Sequence, residues 1–204
     1  MILYELVGSE QHPAYQNLSI DNLERQYDFL RSIINAALAV NRPMVSTAII
    51  MALNAHAISC LHVNAGQYRP CPVNIGGYVP PDHYRVPELM NAFVNEVNHI
   101  WQNSDGVALA AYVLWRINHI HPFINGNGRT ARALCYFVVC VKAGGLLGGD
   151  TALPELIRQN HDEYIRLLQE ADAGYVAGNA DYLNGLHQFI VRLVEEQLAS
   201  ATAD

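Results

Sequence analysis

Positive charge is scarce in this chain: of its 204 residues a single one is lysine, Lys142, and the other basic residues are arginines scattered along the sequence. With a net charge of −7 and no basic cluster, it has no stripe of cations to follow a nucleic-acid backbone, so nucleic acid is not an expected partner. Charge of either sign is low, at 15% against 51% hydrophobic residues, a balance that excludes a disordered chain and supports a real core. Long apolar runs are missing as well. No uninterrupted apolar stretch approaches the roughly 18 residues that a membrane span needs, so no membrane partner is expected. The opening residues, Met1 to Pro13, have no basic region before a short apolar stretch and do not read as a signal peptide. The four cysteines, Cys60, Cys71, Cys135 and Cys140, form no CxxC pair and no zinc-type spacing with histidine. Cys135 and Cys140 lie in an apolar run and read as core thiols, which suits a reducing compartment. The expectation is a cytoplasmic protein forming one domain over residues 1–204.

What is present is mostly helical periodicity. From about Ile20 to Val40, Leu23, Tyr27, Leu30, Ile33, Ile34 and Ala37 recur at helical spacing, until Asn41-Arg42-Pro43 ends the pattern. Val45 to Leu61 carries no Asp, Glu, Lys or Arg and reads as a buried helix. Asn64 to Pro81 changes texture, with Gly66, Pro70, Pro72, Gly76, Gly77, Pro80 and Pro81 set among Val73, Ile75, Tyr78 and Val79. Short strands about Gly76-Gly77 predict a hairpin, which must lie against the helices to be stable. Pro87 fits the first turn of a helix to about Trp101, and Asp105 can cap another that runs to about Ile120. Further helices are predicted over Asn127–Ala143, ended by Gly144 and Gly145, and near His161–Ala173 and Asn179–Ala199.

Between two apolar helical runs lies His121-Pro122-Phe123-Ile124-Asn125-Gly126-Asn127-Gly128-Arg129-Thr130-Ala131-Arg132. Gly126 and Gly128 let the backbone approach a ligand closely. The free N–H groups at a helix start form a phosphate site. Arg129 and Arg132, three apart, share one helix face and offer forked donors to phosphate oxygens. His121 can accept a proton near neutral pH. An anion hole, two cationic clamps and a base are the equipment of phosphoryl or nucleotidyl transfer. Taken singly, a Gly-Asn-Gly is usually a turn, a lone histidine such as His119 is usually structural, and paired arginines usually face solvent. It is their conjunction within 12 residues that carries the reading.

This segment resembles the Fic-family signature, His-x-Phe-x-(Asp/Glu)-Gly-Asn-Gly-Arg-x-x-Arg, at every fixed position but one. Gln67-Tyr68-Arg69, Val73-Asn74-Ile75-Gly76-Gly77 and Val79-Pro80-Pro81 resemble the family's flap, and the similarity is strongest over residues 64–145. The resemblance implies an all-α fold, a Fic-type helical bundle with a small β-hairpin flap. It implies a protein adenylyltransferase that moves AMP from its cosubstrate ATP to a Ser, Thr or Tyr hydroxyl of a protein substrate. In that case His121 is the general base. Gly126, Asn127 and Gly128 hold the α- and β-phosphates, Arg129 meets the γ-phosphate and Arg132 the β-phosphate region. Phe123 anchors the loop, while Ile75 and Gly76 belong to the flap that aligns the target.

Two positions depart from the pattern. Asn125 stands where the family has the carboxylate that helps hold Mg²⁺, so weakened metal dependence, slower transfer or another cosubstrate is expected. The family's inhibitory helix reads (Ser/Thr)-x-x-x-Glu-(Gly/Asn); the comparable stretch, Ser46–Ala52, has Ile50 in place of the Glu. Either a separate inhibitory partner supplies that acid or the protein is unregulated, unless Ser46–Ala52 is only a packed helix. Competing readings are a transferase of the same fold that passes UMP, phosphate or phosphocholine, and a non-catalytic nucleotide-binding module.

Overall fold

The computed structural model describes residues 2–201. The helices are α1 (Leu3–Val7), α2 (Pro13–Val40), α3 (Thr47–Ile58), α4 (Val86–Ile100), α5 (Gly106–Ile120), α6 (Asn127–Ala143), α7 (Leu153–Gln159), α8 (His161–Val176) and α9 (Asn184–Ser200), with a 3-10 turn at His83–Arg85. The fold is all-α, as expected. Its centre is the pair α5 and α6: α2, α3 and α7 pack on α6, while α4, α8 and α9 pack on α5. Every residue of α6 from Ala133 to Cys140 is buried, including both apolar-run cysteines. Burial pushes both thiols well above their ordinary range, so they stay protonated core residues. Among the described residues no helix is long and apolar enough to cross a membrane.

Helix α2 starts seven residues before the apolar pattern predicts. The His12 ring accepts from the Ala14 N–H and Pro13 opens the first turn, so its start is fixed locally. Its buried face begins with Tyr15, Ser19, Asn22 and Gln26, polar side chains that an apolar count misses. Asn22 and Gln26 are satisfied by the Ser59 and Leu53 carbonyls, each at 2.9 Å, which removes the cost of burying them. Conversely, Leu23 and Tyr27, which the pattern assigns to the core, are each 37% exposed. They line a groove on the same side as Arg129 and Arg132.

The remaining starts follow their caps. Ser46 accepts from the Ile49 N–H, and Asp105 accepts from the Val107 and Ala108 N–H groups at 2.9 and 2.8 Å. These bonds hold the Asp105 carboxyl below its ordinary range. Ile50, at the position compared with the inhibitory glutamate, is wholly buried, so Ser46–Ala52 is a packed helix start. Helices α1 and α7 were not foreseen. The short α7 is tied down by buried Gln197, whose side-chain oxygen accepts from the Leu153 N–H at 2.8 Å.

The hairpin is smaller than the sequence suggests. Its only ladder is one antiparallel pair, Ile75 and Tyr78, exchanging two 2.9 Å backbone bonds around Gly76-Gly77. Both glycines have positive φ, 54° and 97°, as a two-residue turn requires. Pro70, Pro72, Pro80 and Pro81 flank the pair and have no N–H to extend it.

Candidate nucleotide-transfer site

The end of α5 and the start of α6 present the loop. His121 closes α5 in the left-handed region (φ 50°), and its N–H still bonds Ile117 at 2.9 Å. A bulky residue held there stores strain, a state that persists only when its surroundings over-determine it. Arg69 supplies that constraint. Nearly buried at 2% exposure, it donates through Nε to the His121 carbonyl at 2.8 Å, and its own N–H donates to the Pro122 carbonyl at 2.8 Å. Its other nitrogens donate to the carbonyls of Cys71 and Pro81, at the two ends of the flap. One guanidinium therefore fixes the His121 loop and the flap to each other.

The imidazole of His121 is lowered from 6.5 to about 4, mainly by burial and further by the positive charge of Arg69, against a raising hydrogen bond to the Asn118 backbone. It is consequently neutral, and able to accept a proton, throughout the neutral range. It lines a cavity of about 120 Å³ together with Ile75, Tyr78, Asn118, His119 and Asp172. His119 is not idle: its Nδ1 lies 2.7 Å from Asp172, and the Tyr78 hydroxyl donates to its carbonyl at 2.7 Å. That pairing pins the flap to α5.

The Asn127 side chain turns inward. It accepts from the Phe123 N–H and donates to the Phe123 carbonyl, both at 2.9 Å, so only its backbone is left for an anion. Phe123 is wholly buried, as an anchor must be. Gly126 (φ 76°) could carry no side chain: an added Cβ would fall 2.7 Å from Ile58 and 2.9 Å from the Asn54 amide. Asn54, itself buried, donates to the Asn125 carbonyl at 2.9 Å and accepts from the Gly66 N–H at 2.9 Å, joining α3, the loop and the start of the flap segment. Sequence reasoning missed Arg69 and Asn54 as site-forming residues. The signal that could have found them is a polar side chain where the surroundings demand a buried one.

No side chain caps the start of α6. Its first N–H groups are thus free to meet an anion, in the favourable field of the helix dipole. The Arg132 guanidinium folds back over this start, its Nη1 3.2 Å from where a Cβ on Gly128 would sit. Burial lowers its pKa, which is the cost of holding a cation out of water without a partner anion. Arg129 spends one nitrogen on the Ala57 carbonyl at 2.8 Å. Both arginines wall a groove of about 300 Å³ between α2, α6 and α7. The imidazole and the guanidiniums therefore line two different hollows on either side of one loop, and Ile75 joins the former.

Residues 45–139, which include Asn54, Arg69, the flap and the loop from His121 to Arg132, match the profile of the Fic/DOC family. The chain carries a Fic domain. It is 31% identical over 147 residues to the protein adenylyltransferase Fic of Drosophila grimshawi, and 30% identical over 147 residues to that of Drosophila willistoni. These alignments cover 71% of this chain, which spans less than a third of those relatives' length, 29% and 28%. Among solved structures, a Fic-domain signalling protein from Bacteroides thetaiotaomicron superposes with a TM-score of 0.69 at 22% identity, covering 99% of this chain and 80% of that one. Fic-1 from C. elegans gives 0.66 at 22% identity, covering 98% and 55%. At such identity these two speak for the fold.

In this Fic domain Asn125 gives the loop a neutral oxygen where Mg²⁺ would favour a carboxylate. Among the described residues no group of three His, Cys, Asp or Glu could hold a metal. Asn125 spends its amide nitrogen on Glu10, whose Oε1 accepts at 3.1 Å and also lies 3.2 Å from His62 Nε2. Mg²⁺ is ordinarily held by one or two carboxylates together with substrate phosphates, and the Glu10 carboxylate lies beside Asn125. Glu10 is a further residue that sequence reasoning did not bring to the site.

Proposed function

We propose that this Fic domain is a protein adenylyltransferase: it binds ATP across the loop and passes AMP to a Ser, Thr or Tyr hydroxyl of another protein. The observation that carries the reading is the uncapped α6 start with the Arg132 guanidinium folded over it, one loop away from a neutral imidazole. The anion fits where positive ends and an unneutralised cation converge, so the backbone at Gly126, Asn127 and Gly128, with Arg129 and Arg132, takes the phosphates. His121 accepts the proton of the target hydroxyl as that oxygen attacks the α-phosphorus; pyrophosphate leaves, its charge spread over the arginines. The flap at Ile75 and Gly76 lays the target chain beside the cavity that His121 lines. The adenylyltransferase names of the Drosophila relatives support the same reaction. A separate inhibitory partner would reach Arg129 and Arg132 through the groove left open by Leu23 and Tyr27.

Incubation of the chain and a cell lysate with α-labelled or γ-labelled ATP, beside His121→Ala, tests this. Label on protein from the α position, lost in the variant, is expected. Label from the γ position alone would instead mean phosphorylation. Tight ATP binding without labelled protein would leave a nucleotide-binding module.

A further inference from the structure

A third hollow, of about 190 Å³, shares His119 with the cavity that His121 lines, and its wall includes Pro81, Arg85, Leu89, Arg116 and Tyr175. Arg85 and Arg116 line it, and neither belongs to an ion pair: the salt bridges among the described residues use other cations. Arg116 lies over the rings of Trp115 and Tyr175, at 5.5 and 5.8 Å, so its plane is fixed. Its Nε is buried and has no acceptor. A buried N–H without a partner is costly, and a charged one more so, unless an acceptor arrives from outside. Nearby carboxylates do not serve. Asp172 is taken by the Trp115 Nε1–H at 2.9 Å and by His119, and Asp82 by the Tyr84 hydroxyl at 2.8 Å.

We propose that this hollow receives an aspartate or glutamate side chain of the protein substrate, its carboxylate held by Arg116 and Arg85. The inference rests on the transfer reading for the identity of the partner, and deepens it by naming what the target must carry. A free small anion would need no particular approach, but this pocket has one. Pro81, on its wall, ends the flap and is bound by Arg69, the residue that also holds the His121 carbonyl. Val79 and Tyr84, close in sequence to the wall residues Pro81 and Arg85, are 70% and 71% exposed and give a peptide an apolar surface to lie on. A segment laid along the flap passes both the cavity of His121 and this one. The pocket therefore selects hydroxyl residues that have an acidic neighbour in the same segment.

The test uses short capped peptides containing one threonine, with glutamate walked through the neighbouring positions, and a matched glutamine set. The Arg116 Nε–H resonance is followed in labelled protein while peptide is added. Glutamate peptides should move it and bind at least fivefold tighter than their glutamine partners. Arg85→Gln should abolish that preference while leaving the melting temperature and the labelling of glutamine peptides unchanged. Equal response to both sets, or none, overturns the proposal, as does inorganic phosphate that moves the resonance and competes on its own with the same affinity. If the shift is specific for glutamate yet no peptide becomes labelled from ATP, the transfer reading fails and the pocket stands. If peptides of both sets are labelled alike with the resonance unmoved, transfer stands and the pocket fails.

Discussion

The loop that holds His121 and the flap that faces it are built on opposite plans. Every turn of the loop is over-determined: Asn127 brackets Phe123, Asn54 holds the Asn125 carbonyl, and Gly126 has no room even for a methyl group. The flap has one bridged pair, and an added Cβ on Gly76 or Gly77 would meet nothing within 4 Å. The difference matches what the proposed reaction asks of each. Phosphate stabilisation depends on donors that are already in place, whereas a surface that receives a protein segment gains from some give. Arg69 is where the two plans meet, since it bonds both.

Removing that junction is the largest way to break the contrast. Arg69→Ala leaves the carbonyls of His121, Cys71 and Pro81 without their donor. A fully buried acceptor so stranded costs about 1–3 kcal/mol; these three are part-buried, and we expect a total loss near 4 kcal/mol in urea unfolding. Arg69→Lys should recover only part of it, because an ammonium cannot reach three carbonyls in the plane of a guanidinium. A loss below about 1 kcal/mol would mean the loop holds its strained histidine without help.

Two glycine substitutions compare the regions directly. Gly126→Ala forces a Cβ against Ile58 and Asn54 and holds a positive φ, so overpacking and backbone strain together should cost about 2–4 kcal/mol. Gly76→Ala has strain without crowding and should cost about 1 kcal/mol. Similar melting temperatures for the two variants would refute the idea that the loop is rigid and the flap is not.

The pH behaviour of His121 sharpens the comparison from the chemical side. Its pKa is depressed, so the folded state resists a proton that the unfolded chain accepts. Stability is therefore full above pH 6.5 and falls as the pH drops from 6.5 toward 4. The acid limb of kcat/KM, which reports the free protein, should lie near pH 4 and not near 6.5. The limb of kcat should sit higher, since bound triphosphate favours the imidazolium. His121→Ala should lose the corresponding acid sensitivity in thermal melts.

The sequence made the helices and the loop legible to different degrees, for physical reasons. Helix α6 was readable end to end because a glycine bounds it on either side, Gly126 and Gly144, and its interior is almost wholly apolar. Helix α2 was read seven residues short because its first buried turns use Tyr15, Ser19, Asn22 and Gln26, whose burial depends on carbonyls of α3 and the turn after it, which no local pattern contains. The same blindness hid Arg69 and Asn54. An arginine in a proline-rich stretch reads as surface, and only the tertiary arrangement shows it surrounded by backbone oxygens. The glycines and arginines proposed to meet phosphate were legible because glycine spacing and paired arginines are local. The inward turn of Asn127 was not, since it depends on the path taken by Phe123.

The smallest effect should come from Tyr78→Phe. The hydroxyl donates to the His119 carbonyl at 2.7 Å, and burial already raises its pKa well above the ordinary tyrosine value, so it is a neutral donor at any working pH. Its loss removes the hydroxyl's two contacts with His119, to the carbonyl and the ring Nδ1, from the flap and none from the loop, at a cost of about 1 kcal/mol. Hydrogen exchange should then quicken at the Ile75 and Tyr78 N–H groups, which close the single bridge, and stay unchanged at Thr130, whose N–H bonds the Gly126 carbonyl at 2.9 Å. Faster exchange at both places would show that flap and loop open as one unit, and the division between a fixed phosphate cradle and a yielding target surface would have to be abandoned.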